Sequence, residues 1–215
     1  MPHREHELLY GISVTARPFS HIEQYIDFSH TKTALDVAAG CSDTTAKLVT
    51  MGVDAFAVDP RYGRYFDIEA RCLSDLEQWQ SMDRDIPEDM SFGKQIKAMF
   101  VFSASRKQEP HRYRAGSATS LPFADGTFDN VFSAHGISEH LSGDLELLSA
   151  SIDEALRVTT DGGRIQIYPW HEQVFDGNGG SRNQAAVEQM LQERGLTVQK
   201  RKSVIGRQAT LVIFI

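Results

Sequence analysis

The sequence predicts a doubly wound α/β domain of three α/β/α layers around a mostly parallel seven-stranded sheet with an antiparallel C-terminal strand. Three observations predict it. From residue 34 onward, short apolar runs of strand length alternate with segments of helical periodicity, the pattern of parallel strands joined by crossover helices. The last two runs, TVQKRKSV and QATLVIFI, flank Gly206 with no helix between them, and so form a hairpin. A chain of 215 residues that is 41% hydrophobic can bury one ordinary core, so the whole of 1–215 reads as one domain.

Each element has its own signal. FSHIEQYIDF (19–28) spaces Phe19, Ile22, Tyr25 and Ile26 as a helix behind Pro18, and residues 1–31 read as an N-terminal helical cap. ALDVAA (34–39) is the first strand; Ser42 or Asp43 caps a helix that Gly52 stops. AFAVDP (55–60) is the second strand. Residues 61–111 are far longer than the dozen or so a plain crossover needs, and read as two helices broken near Asp85-Ile86-Pro87. HRYRAG (111–116), DNVFSAHG (129–136) and RIQIYPW (164–170) are strands three to five. An amphipathic helix over 142–158, capped by Ser142, precedes strand five, and a helix over 181–194 follows it.

Composition excludes some function classes. No apolar run approaches the roughly 18–20 residues that span a bilayer, the N-terminus carries no apolar leader, and Cys41 and Cys72 form no zinc or redox pair. A reducing cytoplasm is expected. A net charge of −7 disfavours nucleic acid and anionic membranes as partners. One basic stretch, with Lys94, Lys97, Arg106, Lys107 and Arg112, reads as a solvated helix face.

In such sheets ligands bind beyond the carboxyl ends of the strands. After strand one stand Asp36 and Gly40, without the Gly-x-Gly-x-x-Gly that a dinucleotide oxidoreductase needs; after strand two stands Asp59. A carboxylate that can receive a cation, a glycine that permits close approach, and a carboxylate suited to ribose hydroxyls suggest a nucleoside carrying a cation.

The run AGSATSLPFADGTFDNV (115–131), taken with LDVAAG, AVDP and EALRVTTDGGRIQIYP in that order, resembles the class I S-adenosylmethionine-dependent methyltransferases over roughly residues 33–170. The resemblance implies S-adenosylmethionine as cofactor. Asp36 would hold the amino group of its methionine portion, and Ala38, Ala39, Gly40 and Cys41 would line it. Asp59 would take the ribose hydroxyls, Ser117 and Ala118 would lie against adenine, and Ser133 and Ala134 near the methionine portion. Two departures stand out. Ala38 and Ser42 replace glycines and should therefore keep negative φ. Ser117 replaces a frequent aspartate, which should weaken binding by about 1 kcal/mol.

The chemistry is an in-line methyl displacement, in which a base is needed only if the acceptor loses a proton. Titratable groups crowd the turns after strand four (His135, Glu139, His140) and strand five (His171, Glu172, beside Trp170); His140 and His135 rank first as catalytic residues, with Glu139. Their spacing matches no metal motif, so no metal is expected. Neither an Asn/Asp-Pro-Pro-Tyr nor a Pro-Cys nucleophile is present, and a small-molecule acceptor is expected. The 61–111 insertion is either a substrate-covering lid or a scaffold or homodimer surface. The alternative function is a non-catalytic binding protein on a degenerate copy of the fold.

Overall fold

A computed structural model describes residues 14–63, 67–81, 88–171, 180–202 and 208–215. Its strands are β1 (Thr33–Val37), β2 (Asp54–Val58), β3 (Tyr113–Arg114), β4 (Phe128–Ala134), β5 (Thr159–His171), β6 (Thr197–Lys202) and β7 (Gln208–Phe214). They form one sheet in the order β3-β2-β1-β4-β5-β7-β6. β1 to β5 pair in parallel, and β7 runs antiparallel between β5 and β6. The expected doubly wound, seven-stranded sheet is therefore present. Strand order reverses between β1 and β4, where such sheets open a ligand crevice.

The helices are α1 (Phe19–Ile22), α2 (Thr44–Thr50), α3 (Ile68–Gln80), α4 (Phe92–Gln108), α5 (Ile137–His140), α6 (Leu145–Val158) and α7 (Gly180–Glu193). Alternation along β1 sends Leu35 and Val37 to one face and Ala34 to the other. The first face packs against Leu148, Ile152 and Ala155 of α6 and Val187 and Leu191 of α7. The second packs against Ile22 of α1 and Leu48 of α2. A further core joins Ile68, Cys72 and Leu76 of α3 with Ala98, Met99 and Phe102 of α4 at the carboxyl end of the sheet. Val14 and Ala16, in an extended segment before α1, pack into that core.

Several elements differ from the sequence reading. The first helix is only four residues long; the chain beyond it turns through Asp27, whose backbone is tied to Asn130, Gln166 and Arg164 across the sheet. The third strand shrinks to two residues because Pro110 opens a 3-10 turn over 110–112. The insertion does fold as two helices, α3 and α4, while the expected break at 85–87 lies outside the described residues. The α6 cap is Asp144, not Ser142: Asp144 Oδ1 accepts from the backbone N–H groups of Glu146 (3.0 Å) and Leu147 (3.2 Å). Asp144→Ala is expected to cost about 1 kcal/mol in chemical denaturation, and an unchanged midpoint would contradict this assignment.

The basic stretch is partly neutralised within the chain. Arg106 pairs with Glu69 at 3.3 Å, and Arg112 with Asp54 at 2.6 Å and Glu109 at 3.1 Å. Among the described residues, no helix is long and apolar enough to cross a membrane.

Candidate functional site

β1 ends in a tight turn whose backbone reverses hand twice. Ala38 (φ 59°) and Gly40 (φ 58°) both lie in the left-handed region. The expectation of negative φ at Ala38 is thus corrected, while Ser42 is not among the positive-φ residues. Room on the neighbouring strand explains how alanine is accommodated. Gly136, after β4, carries no side chain where a Cβ would lie 2.5 Å from that of Ala38.

The turn is held by its surroundings. Asp59 is buried; its Oδ2 accepts from Gly40 N (3.1 Å) and its Oδ1 from Arg61 N (2.9 Å). Tyr62 donates its hydroxyl to Gly40 O at 2.7 Å. Asp59 therefore fixes the glycine turn, whatever further acceptor capacity it offers a ligand. Arg61 Nε stands 3.4 Å from Asp59 Oδ1 without a hydrogen bond.

A strap formed by residues 14–18 crosses this turn. Val14 N donates to Asp75 of α3 (2.7 Å), Thr15 O accepts from Cys41 N (3.2 Å), and Arg17 O accepts from Ser42 Oγ (2.9 Å). Just beyond, Phe19 N donates to Asp43 Oδ1 at 2.6 Å. A Cβ on Gly40 would meet Thr15 O at 2.9 Å, so the close approach made at this glycine is that of the strap backbone. Cys41 is wholly buried beside Cys72 and Ile68, and burial pushes its thiol far up, out of reactive range.

Beyond β4, His135 also takes a left-handed backbone (φ 62°). α5 begins two residues later, and one helical turn brings Glu139 back under the ring. His135 Nδ1 and Glu139 Oε1 are 2.6 Å apart, while His135 Nε2 is buried with no partner. The ring lies 5.8 Å from that of His21, stacked, and 5.0 Å from that of Tyr168, edge-on. Burial pushes the imidazole down to about 4, aided by the Arg17 cation and opposed by Glu139. The imidazole beside Glu139, with Arg17 adding to it, outweighs the desolvation of that carboxyl and holds it at about 2. Neutral imidazole and ionised carboxylate are the forms present near neutral pH. His140 follows on the same turn; burial lowers its proton affinity, with Arg17 and Arg61 adding to the effect.

Asp36 completes the set. It is buried, its Oδ2 has no partner, and desolvation raises its pKa well above the carboxylate range despite the nearby Arg17. Such an oxygen fits a cationic N–H donor, as the ammonium of an amino-acid portion would supply. Of the buried side-chain atoms without a hydrogen bond among the described residues, Asp36 Oδ2, Arg61 Nε, His135 Nε2 and Ser138 Oγ lie at the carboxyl ends of three neighbouring strands, and Gln95 Oε1 lies on α4. Buried polar groups without partners are few in folded proteins, and their concentration at the switch point marks a place for a polar ligand.

The remaining expected site residues are committed differently. Ser133 Oγ donates to Val37 O (2.9 Å) and accepts from Ile137 N (3.0 Å), joining β4 to β1, and Ala134 packs in the core. Ser117 shares a hydrogen bond with Thr119 (2.9 Å) in a turn after β3, and Ala118 leans on the main core. Trp170, expected at the mouth, is fully buried with its N–H on Glu188 at 2.6 Å. His171 ends β5, and Glu172 lies outside the described residues. Among the described residues, no group of three or more His, Cys, Asp or Glu is placed to hold a metal ion. Sequence reasoning missed Arg17 and Tyr62, whose roles arise only from long-range packing.

A family model described as a methyltransferase domain matches residues 93–167. A demethylmenaquinone methyltransferase of Beutenbergia cavernae is 28% identical over 133 residues; the match spans 62% of this chain but only 38% of that protein. Two solved structures share the fold. One, from Pyrococcus horikoshii OT3, has a TM-score of 0.51 at 17% identity, covering 85% of this chain and 82% of that one. The other, mitomycin 7-O-methyltransferase, has a TM-score of 0.53 at 12% identity, covering 91% of this chain and 52% of that one.

Proposed function

We propose that this chain, a class I S-adenosylmethionine-dependent methyltransferase by its fold and its matched domain, methylates a small molecule whose reacting group gives up a proton to His135. The single observation that carries the reading is His135 itself. It is a half-buried, neutral imidazole with Nδ1 on Glu139 at 2.6 Å and a buried Nε2 left without a partner, on the turn adjoining Asp36. That is the arrangement of an oriented general base.

The cofactor, when bound, supplies an electrophilic methyl on a sulfonium whose departure leaves a neutral thioether. The chain's residues do the rest. Asp36 receives the ammonium, the turn of Ala38 to Cys41 lies along the methionine portion, and Asp59 faces the ribose with its spare lone pairs. His135 Nε2 takes the acceptor's proton, while Glu139 holds the opposite N–H and stabilises the imidazolium. Ser117 and Ala118 stand at the adenine end. The strap and α3 cover the turn and exclude water, which strengthens each of these electrostatic contacts.

Calorimetric titration with S-adenosylmethionine, S-adenosylhomocysteine and NAD tests the cofactor half. Micromolar binding of the first two and none of NAD is expected. In Asp36→Asn the affinity for S-adenosylhomocysteine should fall about tenfold, the loss of one charge-assisted bond. Because burial raises the Asp36 pKa, binding of a cation should release protons, detectable in buffers of different ionisation enthalpy. No binding of any of the three would favour the non-catalytic alternative. The acceptor half is tested by release of S-adenosylhomocysteine from a panel of small phenols, enols and amines. Demethylmenaquinone, the substrate named for the Beutenbergia relative, belongs in that panel.

A further inference from the structure

Arg17 has no counterpart in the catalytic scheme above, yet its side chain is only 13% exposed and lies beside the base. Glu139 uses its two oxygens separately. Oε1 meets His135 Nδ1 at 2.6 Å, and Oε2 lies 3.9 Å from the Arg17 guanidinium. Arg17 reaches this place because the strap is anchored on both sides of it, through Val14 and Thr15 before and through its own carbonyl and Phe19 after.

We propose that Arg17 is a positioning residue of the base: acting through Glu139, it holds the His135 ring with Nδ1 protonated and Nε2 unprotonated. This rests on the reading of His135 as the base. The strap delivers the arginine, so the base is complete only while residues 14–18 lie across the glycine turn. The site gains a three-member chain, Arg17–Glu139–His135, in which a third group orients the base, as nucleophile and base systems commonly require. Arginine suits the role because it stays charged while desolvated.

The other groups that face this chain are few among the described residues. His135 is faced by His21 from α1 and by Tyr168 from β5. His140 also acts on Glu139, and Asp36, Cys72 and Tyr168 act on Arg17. Removing the arginine charge therefore leaves His135 with Glu139 as its nearest ionised neighbour, which must raise its proton affinity.

The test is nitrogen-15 NMR of the histidine rings in the full chain, as wild type, R17Q and R17K, titrated between pH 3 and pH 8. Wild type should show a neutral His135 ring protonated at Nδ1 through the neutral range, titrating at about 4. In R17Q the midpoint should rise by about one pH unit, and the ring should populate both tautomers. R17K, which keeps the charge, should stay within about half a unit of wild type. A wild-type dyad left unchanged in R17Q would overturn the role of Arg17 and leave the base reading standing. A wild-type His135 protonated at Nε2 would overturn the base reading and this inference with it. R17M, which keeps the packing of the stem, repeats the measurement should R17Q fail to fold.

Discussion

His135→Asn is expected to slow methyl transfer by about 10²- to 10⁴-fold while the affinity for S-adenosylhomocysteine stays within about threefold. Asparagine is the right replacement because residue 135 has φ 62°, a conformation that asparagine tolerates better than alanine. The separation of rate from binding follows from position. In the proposed scheme His135 faces the acceptor, whereas Asp36 and the glycine turn hold the cofactor. His140→Ala, one residue beyond Glu139, is the internal comparison. If it costs as much as His135→Asn, the base has been misassigned between two neighbouring imidazoles.

The same substitution has a pH signature. His135 ionises near 4 in the folded chain and near 6.5 when unfolded. Between those values the unfolded chain binds a proton that the folded chain refuses, so stability falls as pH drops from 6.5 toward 4. Glu139 behaves oppositely in origin. Its folded pKa is lowered to about 2 from 4.5, so it contributes stability that is complete above 4.5 and is lost as pH falls toward 2. His135→Asn removes the upper window, and the dyad contribution to the lower one. The melting temperature of the variant should therefore depend less on pH between 4 and 6.5 than that of wild type. Wild-type activity should be flat through neutrality and decline only as pH approaches about 4.

The sheet was legible because its signals are local. LDVAA, AFAV and the run from Phe128 to Ala134 are dominated by buried apolar residues, as strands covered on both faces are. Asp36, Asp59 and His135 were legible as polar residues at the ends of those runs, where parallel sheets expose their turns. What escaped depends on contacts between distant segments. Nothing around Arg17 tells that the strap will bring it against Glu139. Asp144 and Ser142 are both good caps by type, and only the register of the first helical turn chose Asp144. Asp59 shows a further limit. Its place at the end of β2 was evident, but not that both its oxygens would brace the chain's own backbone.

The positive φ of Ala38 is the most instructive of these misses, and it yields a second large effect. Gly136→Ala should destabilise the chain by about 3 kcal/mol, lowering Tm by about 6–12 °C for a domain of this size. The backbone there (φ −93°, ψ −79°) is open to any residue, so the cost is steric. The added methyl would lie 2.5 Å from Ala38 Cβ, 2.7 Å from Ser133 Oγ and 3.2 Å from Val37 O. None of these can yield freely, since Ser133 bonds both Val37 O and Ile137 N. Ala38→Gly alone should be nearly neutral, because relief of about 1–2 kcal/mol of left-handed strain is set against the entropy of one more glycine. In the double variant the methyl conflict at residue 38 disappears while the serine contact stays, so about half of the lost stability should return. A double variant no better than Gly136→Ala would show that the two turns do not press on one another. Recovery would show that the glycine turn after β1 and the turn carrying His135 share one steric register. A glycine absent from the first turn is then compensated by a glycine present in the second.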